Sequence, residues 1–110
     1  MVASSKDKIA QTMFSVKVHT EGEDNLVAVC DKEILGKTFS QGDLEFRVKE
    51  SFYGGDILDL AETLELISKA SNVNLVGNRI VDEILSKGLL NQECILEVAG
   101  VKHAQIVELS

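Results

Sequence analysis

The side chains of this sequence that could do chemistry gather in three short segments. The first is Ser71-Asn72-Val73-Asn74-Leu75-Val76-Gly77-Asn78-Arg79, where three carboxamides, a glycine and a guanidinium interrupt two apolar-periodic runs. Asn oxygens accept backbone hydrogens, so Asn72 or Asn74 is expected to cap the following helix, with Gly77 letting that helix approach the sheet closely. The competing reading turns Asn74 and the free amide hydrogens of the helix start toward a cleft. There, with Arg79, they would hold a carboxylate, a phosphate or an RNA backbone. Capping is favoured, because it is the commonest use of Asn at a helix start.

The second segment is Phe52-Tyr53-Gly54-Gly55. Tyr53 is the only tyrosine and tryptophan is absent, so Tyr53 is the best residue for stacking on a base or on a partner side chain. The plainer reading is a core Phe52 with Tyr53 bridging core and solvent above a turn in which Gly54 and Gly55 take backbone angles closed to other residues. Neither GxGxxG nor GxxxxGK[ST] occurs there, so nucleotide binding has no motif support. The third segment holds His103 and Gln105, which strand alternation places on one face. Histidine titrates near neutral pH, although a histidine at a strand entrance is more often structural. Lys37, close to Lys32, and Lys102, beside His103, are local basic spots that read first as solvated surface.

No catalytic set emerges. A nucleophilic Cys30 would need His19 or His103 within hydrogen-bond reach and a lowered thiol pKa, whereas its place at the end of a valine-rich run suits a buried apolar residue. Cys30, Cys94, His19 and His103 are zinc-ligand types without paired spacing. Asp56, Asp59 and Glu62 sit where helix caps belong. The candidate binding set is therefore Lys37, Tyr53, Gly54, Gly55, Asn74, Gly77, Arg79, His103 and Gln105, with Cys30 as the one thiol to test. No metal or cofactor is called for.

These residues need elements to position them. Phe14, Val16 and Val18 alternate with Ser15, Lys17 and His19, the period of a half-buried strand, and a loop of about five residues leads to a second, more central strand over Leu26 to Cys30. Asp31 is expected to cap a short helix at Lys32 to Leu35 that Gly36 ends. Leu44, Phe46 and Val48 alternate with Glu45, Arg47 and Lys49 as a third strand. Asp59 and Glu62 form a capping box for a helix with Leu60, Leu64 and Ile67 on one face. A second helix carries Ile80, Val81, Ile84 and Leu85. Strands at Cys94 to Val98 and Ala104 to Leu109, joined through Gly100 to His103, close the chain. The result is an α+β fold: a mostly antiparallel sheet of about five strands, two main helices packed on it and one short helix, in the order ββ(α)βααββ.

Composition bounds the function. At 110 residues, 45% hydrophobic and 26% charged, the chain is one soluble domain over 13–110 with a polar extension over 1–12. No apolar run nears the roughly 20 residues that span a membrane, and the N-terminus lacks a signal-peptide core, so a cytoplasmic location is expected. A formal charge of −7 argues against general DNA or anionic-membrane binding while leaving room for a local basic contact with a ribonucleoprotein. Either outer run, Met13 to Thr20 or Ala104 to Leu109, could pair between chains, so monomer and homodimer both stand.

In order along the chain, Val29-Cys30-Asp31, Leu35-Gly36-Lys37-Thr38-Phe39, Phe52-Tyr53-Gly54-Gly55, Asn74-Leu75-Val76-Gly77 and Gly100-Val101-Lys102-His103-Ala104-Gln105 resemble the archaeal DUF424 family, over nearly the whole chain. The resemblance implies an archaeal cytoplasmic protein and no particular reaction. Lys102 stands where that family's last motif usually has proline, which implies a less rigid approach to His103. The expected function is a non-enzymatic binding module docking on a protein or ribonucleoprotein partner, in translation or ribosome assembly. The alternative is a small enzyme or ligand binder with a pocket around Cys30, Tyr53, Asn74 and His103.

Overall fold

Strict alternation at the start of the chain builds an antiparallel pair. In the computed structural model, which describes residues 13–107, Phe14–Glu21 (β1) pairs with Asp24–Asp31 (β2) across a tight turn at Gly22, shorter than the loop expected. The expected extension over 1–12 lies outside the described residues, as do 108–110. After a 3-10 turn at Lys32–Ile34 come a hairpin of Thr38–Gln41 (β3) and Leu44–Arg47 (β4), a single helical turn Glu50–Tyr53 (α1) and a short strand Asp56–Leu58 (β5). Leu60–Ser68 (α2), Asn72–Val76 (β6), Asn78–Ser86 (α3), a 3-10 turn at Gln92–Cys94, Leu96–Val98 (β7) and Val101–Val107 (β8) complete the domain.

The fold is α+β, with its main sheet ordered β5-β1-β2-β6-β8-β7 and β3-β4 as a separate small sheet. Several expected details change. The main sheet has six strands and is mixed, because β6 runs parallel to β2. The two main helices are separated by β6, whose alternation of Asn72 and Asn74 with Val73 and Leu75 has a strand's period. Asn74 therefore lies inside a strand and does not cap α3. The short helix is α1, whereas Lys32–Ile34 makes only a 3-10 turn without a side-chain cap from Asp31. Lys102 and His103 belong to β8 rather than to a turn. The outermost strands are β5 and β7, of three residues each, but they pair only with 14–16 of β1 and 101–103 of β8, so among the described residues the rest of both expected edge strands keeps an open side. The capping box of α2 forms as expected, with Glu62 N donating to Asp59 Oδ1 and Asp59 N to Glu62 Oε1.

Each face of the sheet carries its own core. On one side Phe14, Val16, Val27, Val29, Val73 and Leu75 meet Ile80 and Ile84 of α3 and the Leu60, Leu64 and Ile67 stripe of α2. On the other, Ala28, Cys30 and Val76 lie beneath Tyr53 and Val48, with Phe39, Phe46 and Phe52 packed against them. No helix among the described residues is long and apolar enough to cross a membrane.

Asp31, at the end of β2, joins the two strands that lie at the centre of the sheet to α3. Its carboxylate is buried and accepts Arg79 N–H at 3.0 Å and Ile80 N–H at 2.9 Å, two of the amides that a helix start leaves unpaired. Gly77 takes φ 126°, and a Cβ there would collide with that carboxylate. Burial pushes the Asp31 carboxyl upward, against the two amide hydrogens and the Arg79 charge, which pull it down. Asp31→Ala is expected to cost about 2 kcal/mol, a Tm drop of roughly 10 °C by thermal melting, because two buried donors lose their acceptor. Asp31→Asn, which can accept at only one of the two positions, should recover part of that loss, and Gly77→Ala should match the alanine variant.

Candidate functional site

Strand register gathers the chemistry-bearing side chains on the face opposite α2 and α3. Ser15, Cys30, Val76, His103 and Leu96 form one row across the strands; Lys17, Ala28, Asn74 and Gln105 form the next; His19, Leu26, Asn72 and Val107 form the third. Helix α1 and the β3-β4 hairpin cover this face only in part.

Helix α1 is a single turn, too short to hold itself together. Side chains of β1 hold it instead, by taking three successive carbonyls at its end. Lys17 Nζ donates to Ser51 O at 2.9 Å, His19 Nε2 to Phe52 O at 2.8 Å, and Ser15 Oγ to Tyr53 O at 2.8 Å. Because a carbonyl only accepts, the His19 bond fixes the tautomer with hydrogen on Nε2. Tyr53 is buried, and its hydroxyl donates to Asn74 Oδ1 at 2.6 Å. Burial raises the Tyr53 pKa, so the phenol stays protonated. The rings are fixed as well. His19 stacks on Phe52 at 4.8 Å, Tyr53 meets Phe52 edge-on, and His103 meets Phe46 edge-on at 4.1 Å.

Beside this platform, Phe46, Arg47, Lys49, Ser51, Phe52 and Tyr53 line a depression of about 360 Å³. Among the described residues neither Arg47 nor Lys49 lies in an ion pair. Phe46, Arg47, Lys49 and Phe52 escaped the sequence reading, which took Arg47 and Lys49 as the wet face of a strand and Phe52 as core. Their signal was present: aromatic and cationic residues interleave within residues 46–53, a pattern suited to anionic, planar ligands.

The other candidates have settled places. Asn74 and Tyr53 do meet, and His103 and Gln105 share their face. Gly54 and Gly55 keep ordinary backbone angles, contrary to expectation, and serve close approach. A Cβ on Gly54 would strike the Glu50 carbonyl, and one on Gly55 the Val16 carbonyl. Gly77 makes room for Asp31. Arg79 pairs with Glu33 through Nε at 2.9 Å and Nη2 at 2.6 Å, and also binds Met13 O, so it is occupied within the fold; the same pairing holds the Glu33 carboxyl low. The Arg79 and Ile80 amide hydrogens at the start of α3, which the anion-binding reading needs free, are taken by Asp31. Lys37 is exposed at the base of the hairpin. Cys30 is fully buried and its thiol is pushed up to about 12, chiefly by burial and then by Asp31, which leaves no thiolate for nucleophilic attack. No three His, Cys, Asp or Glu side chains gather at metal-binding range among the described residues.

The sequence matches the family described as "Protein of unknown function (DUF424)" over residues 18–109. The chain belongs to the DUF424 family. A crystal structure of an uncharacterized conserved protein from Methanopyrus kandleri is similar to this DUF424 chain, with a TM-score of 0.73 and 22% identity over 86% of this chain and 90% of that one. At that identity the likeness is one of fold. No curated protein matches.

In this DUF424 chain, Lys102 at the family's proline position does not loosen the approach to His103. Its backbone N–H donates to Asn78 Oδ1 at 2.9 Å, a bond that proline could not make, while Asn78 Nδ2 binds Gly100 O. His103 Nε2 is buried without a hydrogen-bond partner among the described residues, and burial lowers the His103 pKa. With the folded pKa below the ordinary 6.5, the unfolded chain takes the proton first as pH falls. Stability contributed here is full above that value, is lost as pH drops below it, and levels off under the folded pKa. Urea unfolding across this range should therefore show a decline in the wild type that is smaller in His103→Gln.

Proposed function

We propose that this protein is a non-enzymatic binding module that docks on a protein or ribonucleoprotein partner through the α1 and β3-β4 face, with the translation machinery as the setting in which to look. The observation that carries this reading is the depression where Arg47 and Lys49, without carboxylate partners among the described residues, flank Phe46 and Phe52. A net charge of −7 makes such a spot an exception on the surface, and an exception of that kind orients a protein toward an anionic partner. The platform is also held rigid before any partner arrives, which lowers the entropy lost on binding. The pocket reading around Cys30, Tyr53, Asn74 and His103 has less support, because Cys30 and Tyr53 are packed inside the second core and the thiol stays protonated.

Affinity purification at low salt tests the proposal. The wild-type chain is expected to recover a ribonucleoprotein or protein partner. The double variant Arg47→Glu, Lys49→Glu, whose side chains are exposed and outside both cores, should lose at least nine-tenths of it (about a tenfold drop, the scale of one rim or anchor charge). Equal recovery by both proteins, or none by either, would overturn it.

A further inference from the structure

We propose that the groove formed by Phe46, Arg47, Lys49 and Phe52 binds a short stretch of single-stranded RNA, with bases against the two phenyl rings and phosphates on the two cations. The inference rests on the docking reading above and names the chemistry of its contact.

Three features favour a nucleic acid strand over an acidic peptide. First, the groove presents planes as well as charge. Phe46 and Phe52 are half-buried, and each is held by an imidazole, so their remaining surface is a fixed apolar wall of the kind on which bases stack. An acidic peptide would use the cations and have little use for two fixed rings. Second, the acids nearest in sequence do not neutralise the cations. Glu45 and Glu50 form no ion pair with them among the described residues, and Glu50 turns its carboxylate against Gly36, where a Cβ would sit 3.0 Å from Oε1. Third, the strip of sheet beyond Tyr53 carries Asn72, Asn74 and Gln105, three carboxamides that offer both donors and acceptors to base edges. Tyr53 occupies Asn74 Oδ1 and so turns the Asn74 amide nitrogen into the donor end of that row.

The same observations limit the strand. The groove holds about 360 Å³, room for one or two nucleotides rather than a helix. Glu21 and Asp24 rim the neighbouring depression past His19 and would repel a longer backbone. Duplex binding, which needs an extended cationic track, is disfavoured for that reason.

Fluorescence anisotropy with a labelled single-stranded RNA of about ten nucleotides, in parallel with a labelled poly-glutamate peptide, provides the test. RNA should bind, and log Kobs should fall with log salt at a slope of about −1.4, or −0.7 for each of two phosphates. Phe52→Ala should weaken RNA binding on the order of tenfold, the scale of one stacked base. Arg47→Ala with Lys49→Ala removes only exposed side chains and so keeps the fold. It should flatten the salt dependence, which makes it the control if Phe52→Ala unfolds. RNA binding that ignores both substitutions overturns the inference. So does a peptide bound as tightly as RNA, or the absence of RNA binding. If in those cases purification still recovers a partner that survives ribonuclease and is lost in the Arg47→Glu, Lys49→Glu variant, the docking proposal stands and only the RNA assignment falls.

Discussion

Helix α3 starts beside the buried end of β2, and the amide hydrogens of Arg79 and Ile80 point inward rather than to water. The Asp31 carboxylate meets them, and much else follows from that contact. To place Asp31 there, β2 must end beside the start of α3, which brings β6 parallel to β2. To admit the carboxylate, residue 77 must lack a side chain. Arg79 then lies over the Phe14 ring at 4.9 Å while it clasps Glu33, so the chain entering β1, the turn after β2 and the first turn of α3 are tied at one point. A buried carboxylate is costly to desolvate, and it is retained where its hydrogen bonds are many and short. The anion-binding capacity of this helix start is consumed inside the protein. That moves the search for a partner's contact to the other face.

That face is organised by a second, weaker constraint. A helix of one turn has no intrinsic stability, so α1 exists because Ser15, Lys17 and His19 donate hydrogen bonds to its carbonyls. Alternation along β1 thus has a use on both sides: the apolar residues fill the helix-side core, and the polar residues fasten a platform above the second core.

Much of this was legible in the sequence where a pattern was local. The β1 alternation, the α2 capping box and the apolar stripe of α3 each need only a few neighbouring residues. What stayed hidden depended on distant partners. Asp31 looked like the cap of the nearest helix, because nothing in the sequence says that a carboxylate will reach Arg79 and Ile80 instead. The asparagines of β6 suggested a helix cap, since Asn is depleted in strands and common at helix starts, although their period of two was a strand's own. Glycines at 54 and 55 suggested unusual angles, while their reason is a carbonyl passing close by, that of Glu50 in α1 for Gly54 and that of Val16 in β1 for Gly55. In the candidate site, Tyr53 and Asn74 were found by residue type. Arg47 and Lys49 were passed over because an unpaired cation can be told from a paired one only when its neighbours in space are known.

The three-residue edges of the sheet have a consequence for how the family's surface can change over time. Strands this short cover only 14–16 of β1 and 101–103 of β8, so the ladder left for strand addition lies in the second halves of β1 and β8, away from the β3-β4 hairpin. At the α1 and hairpin face, affinity must come from side chains standing on the platform. Those side chains sit within a single eight-residue stretch, in which Arg47 and Lys49 are exposed while Phe46 and Phe52 pack against the second core. Substitutions at Arg47 and Lys49 can redirect what the protein recognises while the folding information, kept in the strands, the two cores and the Asp31 contact, is left untouched.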